Sequence, residues 1–286
     1  MEIKRAPKRN ASSTHGFPIV SFHAVLSISG AFVVDQKNFF EQIKKQPASF
    51  LIIHYSSENL YDEGLQGLSP RITSIVVMHY DAGQIRSFSL HTIAEQLNIP
   101  KDQVAANYDA IESRLLSDFY GFVKSTKDKC WVHWQMKSLT FGFEHLEHRY
   151  TYLTKNIPTP IPVENRINLV DCLRHKYGDD FAPHPQMKSF ILLQGELPRS
   201  FLMGEEESAC FGRMEFIKMN ASTISKVQFF AYAISLALKG KLKTAGSSFV
   251  LFVDRLLENR YARLLAFTAS MCGFIYLLLR VSGLIR

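Results

Sequence analysis

The densest grouping of side chains able to do chemistry runs from His133 to Tyr150, HWQMKSLTFGFEHLEHRY. His145 and His148 stand three apart, a helical spacing that puts two imidazoles on one side where they can share a metal, with Glu144 and Glu147 beside them. The chemistry of such a set is metal or acid–base work. The H-E-x-x-H spacing is absent and no third ligand follows. The segment therefore reads as a helix whose aromatics pack inward while His, Glu and Arg make capping and strand-end contacts, and no metal or cofactor is expected. A second constellation, Trp131, His133, Trp134 and Arg149, has the composition of a stacking and phosphate-contact surface for a single nucleic-acid strand.

Other chemistry is excluded by what is missing. The chain has no Gly-rich phosphate loop and no G-x-S-x-G elbow, and Gly64 and Gly67 flank no strand-to-helix turn. Cys130, Cys172, Cys210 and Cys272 are far apart and form no C-x-x-C pair. That spacing fits neither zinc nor a disulfide framework, and implies a reduced, cytosolic setting.

The elements that must position these residues can be read from apolar runs. Phe17 to Leu26 and Ala31 to Val34 are strand-like, and Lys37 to Gln46 is a short amphipathic helix closed by Pro47. Phe50 to Tyr55 suits a buried strand. Arg71 to Tyr80, the turn Asp81-Ala82-Gly83-Gln84 and Ile85 to Leu90 predict a hairpin. Tyr108 to Ser125 has helical spacing, Cys130 to Trp134 is a strand, and Leu139 to Leu153 a helix. Pro158, Pro160 and Pro162 make a stiff connection. Helices are then expected over Val163 to Tyr177 and Glu205 to Met219, with a short element at Met187 to Leu193 between them and Asn220-Ala221-Ser222-Thr223 capping another helix at Ile224 to Leu238. This order predicts an α/β body with a mixed sheet.

A strand, a hairpin with an Asp-Ala-Gly-Gln turn, a helix, a strand ending in His-Trp and a helix-rich second half together resemble the DEDD exonuclease branch of the ribonuclease H-like superfamily, over Phe50 to Leu238. The resemblance implies a mixed-sheet ribonuclease H-like body. In that family, carboxylates after the first strand, near the fourth strand and on the last helix hold two divalent metals that activate water. Here the first-strand positions are His54, Tyr55, Ser56 and Ser57, with no acid before Glu58. Gln135, Met136, Lys137 and Ser138 follow Trp134, the next acid is Glu144, and Ser222 to Leu238 has none. Hard cations need oxygen ligands, so the expected site is dead. A metal-dependent nuclease would have to use another acid set, such as Glu58, Glu144 and Glu215.

The formal charge of +7 is unevenly placed. Residues 239–286 carry a net +6 and the first nine residues +3, which leaves 10–238 at −2. Basicity therefore flanks a hydrophobic tail instead of marking a nucleic-acid face. Leu264 to Leu279 is sixteen residues without a charge, between Arg263 and Arg280. As a helix it spans about 24 Å, and about 33 Å if continued to Ile285 with Arg280 snorkelling to the interface, against a hydrocarbon core of about 30 Å. Leu264, Phe267, Phe274, Ile275, Leu277, Leu278 and Arg280 are the expected membrane residues. Val227 to Leu238 is too short for a span and reads as a core or interfacial helix. A two-span hairpin would set the basic link opposite the body, against the positive-inside bias.

The domains expected are a basic arm (1–16), the α/β body (17–238), a basic amphipathic connector (239–263) and a transmembrane segment (264–286). The arrangement resembles bacterial antiphage membrane effectors, including those encoded beside retrons. That resemblance implies a non-enzymatic protein of the inner membrane with its body in the cytoplasm. Its partners would be the lipid bilayer, a nucleic acid or nucleoprotein that keeps it silent, and further copies of itself. The alternatives are a membrane-tethered metal-dependent nuclease and a nucleic-acid-binding pseudo-nuclease.

Overall fold

The computed structural model describes residues 36–58, 69–245, 267, 268, 270–275, 280 and 282. The expected strands at 17–26 and 31–34, the connector from 246 to 263, and Leu264, Leu277 and Leu278 lie outside these residues. The order begins with α1 (Phe39–Lys45), which buries Phe39, Phe40 and Ile43 and stops before Pro47. All eight residues of β1 (Phe50–Ser57) are buried, as an apolar run covered on both faces requires.

β2 (Ile72–His79) and β3 (Ile85–Ser89) form the expected hairpin. Its turn needs Gly83, which sits at φ +66° and donates its N–H to the His79 carbonyl at 2.9 Å. A short helix the sequence reading passed over, α2 (Leu90–Gln96), follows at once and buries Leu90, Ile93 and Ala94. α3 (Tyr108–Ser125) has the predicted ends, with Ile111, Leu115, Phe119 and Phe122 inward. β4 (Cys130–His133) then enters the sheet.

α4 (Phe143–Thr154) starts four residues later than expected. Ser138 Oγ accepts the Phe141 N–H at 2.8 Å, and Lys137 bridges to Gly142, so the intervening residues make a tight loop and Leu139 stays exposed. A β-carbon on Gly142 would lie 2.5 Å from the Ser138 carbonyl oxygen. Gly142→Ala is accordingly expected to cost about 1–3 kcal/mol, read as a lower thermal midpoint. An unchanged midpoint would mean that this loop yields freely.

The predicted helix over Val163 to Tyr177 divides into β5 (Arg166–Asn168) and α5 (Leu169–Tyr177). The short element expected at Met187 to Leu193 is a helix, α6 (Gln186–Gln194). The stretch Glu205 to Met219 is broken, with α7 (Gly204–Gly212) ending before Met214, which takes φ +55°. α8 (Phe216–Leu238) then runs unbroken, so Asn220 to Thr223 lie inside a helix and cap nothing.

The strands form one mixed sheet in the order β3-β2-β1-β4-β5. β2 is antiparallel to β1 and β3, while β1, β4 and β5 are parallel, so β2 alone runs against the rest. Leu51, Ile53 and Tyr55 face the cluster that α3 and α4 complete. α8 lies across β1, β2 and β3; His54 and Ser56 meet its Phe230 and Thr223. α8 is long and apolar enough for a membrane span, yet more than half of it is buried in the body. Its Phe229, Phe230, Ala233, Ile234 and Ala237 are core residues, which removes the basis for a two-span hairpin that uses it.

Candidate functional site

β1 and β4 are parallel neighbours, and the chain leaves β4 through Trp134 and Gln135. Beside that exit lies a cleft of about 390 Å³ whose lining includes His54, Trp134, Arg174, Lys188, Glu207 and Lys226. The crevice beyond the carboxyl ends of parallel strands is the usual ligand position in open α/β sheets.

Glu207 and Lys226 form a buried ion pair between α7 and α8. The same carboxylate oxygen, Oε1, accepts the Ser222 hydroxyl at 3.0 Å and lies 3.2 Å from Ser56 Oγ. Ser56 Oγ is 2.7 Å from Thr223 Oγ1, which is 3.0 Å from Ser74 Oγ. Helix hydroxyls that resemble capping residues in sequence are thus used to tie α8 to the sheet.

His54 is 3% exposed, and its Nδ1 has no hydrogen-bond partner. The ring meets the edges of Phe141 and Phe230 at centroid distances of 5.7 and 5.6 Å. Burial first, then the Lys226 ammonium and His133, hold its pKa well below the ordinary histidine value. The imidazole is therefore neutral at pH 7, with one nitrogen able to donate and the other to accept.

The residues singled out from sequence are placed otherwise. His145 Nε2 is 2.9 Å from the Pro70 carbonyl and must donate to it, so Nδ1 accepts the Tyr55 hydroxyl at 2.9 Å. Burial lowers its pKa to about 4. Both nitrogens are occupied and no lone pair is left for a metal. His148 is exposed and stacks on Tyr152. Among the described residues no three His, Cys, Asp or Glu side chains stand where they could hold a metal ion.

The expected stacking surface is corrected as well. Trp131, His133, Trp134 and Arg149 are each 5% exposed or less. Trp131 packs edge-on against Phe119 and Phe122, and Trp134 stacks on Phe230 and Phe190. His133 Nδ1 accepts the Met136 N–H at 3.1 Å, and Arg149 is consumed by Glu112. Trp131 lies in the core, and Trp134, which borders the cleft, already stacks on Phe190 and Phe230, so the two rings offer no exposed platform to a strand.

The alternative acids have separate structural partners. Glu58 accepts the Arg71 N–H at 3.4 Å. Glu144 pairs with Arg166; partial burial pushes its carboxyl up, but its own backbone N–H and Arg166 outweigh this and hold it below the ordinary range. Glu215 is held at about 2 by Lys218, Arg213 and the Cys210 thiol, beside a mostly apolar groove between α2 and the start of α8. The two-metal arrangement implied by the ribonuclease H-like resemblance does not fit these residues. The one carboxylate lining the cleft, Glu207, is already taken by Lys226.

Sequence reading missed the cleft. Two signals pointed to it: His54 is the one basic side chain in the run Phe50 to Tyr55, and Lys226 is the one charge between Ala221 and Leu238. No protein-family model matches the chain, and no curated protein or solved structure is significantly similar to it.

Proposed function

We propose that the chain is a non-enzymatic membrane effector, in which a ribonuclease H-like binding body controls a membrane-perturbing C-terminal helix. The reading of the body is supported by the strand order β3-β2-β1-β4-β5 with β2 reversed, together with His54, Tyr55, Ser56 and Ser57 standing on β1 where the resembled nucleases place a carboxylate. A cleft rimmed by basic side chains in place of acids suits binding better than hydrolysis, and disfavours the tethered-nuclease alternative.

One observation carries the membrane reading. Residues 267, 268 and 270–275 are helical and all exposed, with Phe267 65%, Met271 50%, Phe274 62% and Ile275 48% exposed. A helix apolar on every side and covered by no protein belongs in lipid. The body would lie in the cytoplasm of a bacterial cell and the helix in its inner membrane, as in antiphage effectors of the retron type.

Expressed in bacteria, the full chain is expected in the membrane pellet after an alkaline carbonate wash, and cells making it should admit an impermeant dye. Phe274→Arg, which adds about 2.5–3.5 kcal/mol to insertion at mid-bilayer, should release the protein and stop dye entry. Alanine at Glu58, Glu144 and Glu215 should leave dye entry in place. Parent protein recovered in the soluble fraction would overturn the proposal.

A further inference from the structure

The cleft beside β1 and β4 has an excess of positive charge that nothing in the body uses. Of the four charged residues Arg174, Glu207, Lys188 and Lys226 on its wall, Glu207 and Lys226 cancel each other. Arg174 has only a 3.8 Å contact with Asp171, which is already paired with Lys137. Lys188, half-buried, has no ion pair among the described residues. Two cations thus line the space, Arg174 with one long contact to a shared carboxylate and Lys188 with none among the described residues. That is the complement of a phosphomonoester, which carries about −1.5 to −2 at neutral pH.

The rest of the wall suits a flat organic group more than a bare ion. Phe141 and Phe201 are half-buried rings on the same cleft, and much of the remaining lining is apolar. Its volume of about 390 Å³ falls in the range that encloses small ligands. At depth stands His54, 3% exposed, with Nδ1 unpartnered. Buried polar atoms in folded proteins are nearly always paired, so an unpaired imidazole nitrogen on a residue that lines the cleft leaves a hydrogen bond for a ligand's polar group to complete.

We infer that this cleft binds a nucleoside monophosphate group without a metal ion, with Arg174 and Lys188 on the phosphate, Phe141 and Phe201 against the base, and His54 on a sugar or base polar atom. The inference rests on reading the body as a binding module and does not depend on the membrane output. The group can come from a free nucleotide or from the phosphorylated end of a strand, since both present the same chemistry.

Titration calorimetry on the full chain in mild detergent, with EDTA present, tests this. Adenosine 5′-monophosphate should bind saturably, with adenosine and inorganic phosphate each at least tenfold weaker. Short single strands with and without a 5′-phosphate assign the source: tighter binding of the phosphorylated strand than of the mononucleotide identifies a strand end, and the reverse a free nucleotide. Arg174→Gln with Lys188→Gln, both at partly exposed positions, should weaken binding at least tenfold with the thermal midpoint unchanged. His54→Phe should weaken it while keeping the preference for phosphate. The proposal falls if neither mononucleotide nor phosphorylated strand binds in EDTA, if adenosine binds as tightly as its monophosphate, or if the double variant binds like the parent. Nucleotide binding without dye entry would sink the membrane output alone.

Discussion

Arg149→Met is expected to lower the stability of the body by about 3–5 kcal/mol, or roughly 6–20 °C in thermal midpoint for a domain of this size. Glu112 is fully buried on α3, where its carboxylate accepts Arg149 Nε at 2.9 Å and a second, shorter bond from Nη2. It also accepts the Ile72 N–H at 2.9 Å, so the pair joins α3, α4 and β2. Removing the guanidinium leaves a carboxylate in the core with one backbone donor. Burial already lifts the Glu112 pKa above the ordinary value, with Arg149 opposing that lift. A carboxyl raised on folding is held more tightly by hydrogen ions in the folded state. Its contribution is full below the unfolded pKa and is lost as pH rises through the folded one. Loss of Arg149 raises the folded value further. The deficit of the variant against the parent should therefore be smallest near pH 4.5 and grow toward pH 7.5, measured by thermal unfolding at both. An equal deficit at the two pH values would contradict the account.

Glu207→Ala should cost a similar amount, about 3–5 kcal/mol, because it strands the Lys226 ammonium in the core. Ser56 and Ser222 lose an acceptor in the same step. Glu207→Gln retains an oxygen for both hydroxyls and should recover part of the loss, separating the hydrogen bonds from the charge. Combining Glu207→Met with Lys226→Met removes both charges, and should be less harmful than Glu207→Ala alone. Denaturant unfolding would decide the order. A double variant as unstable as Glu207→Ala would show that packing, and not an uncompensated ammonium, sets the cost.

Much of the sheet was legible because its strands are marked by continuous apolar runs and one Gly-bearing turn. β1, the hairpin and β4 have those signs, and α3 has four inward residues in strict helical spacing. β5 gave no such sign: it is three residues long, and its Ile167 is as compatible with the helix that follows. The joint between α7 and α8 was displaced because Ser222 and Thr223 look like capping residues, whereas their hydroxyls bond to Glu207 and to the sheet. The break itself falls at Met214, a residue with no special liking for positive φ. The cleft was illegible for another reason. Its charged walls come from α5, α6, α7 and α8, and no local spacing relates them. The buried tryptophans misled for the converse reason, since an aromatic-rich segment reads the same whether its rings line a surface or fill a core.

α8 has 23 residues without proline or glycine and crosses three strands. Lys226 on the cleft wall and Leu238 at its end are separated by about 18 Å of continuous helix. With no joint between them, and with Thr223 bonded to Ser56 and Ser74 and Phe230 and Ile234 packed in the core, the two ends keep a fixed separation. The residues after Leu238 therefore depart from a point that the sheet itself determines.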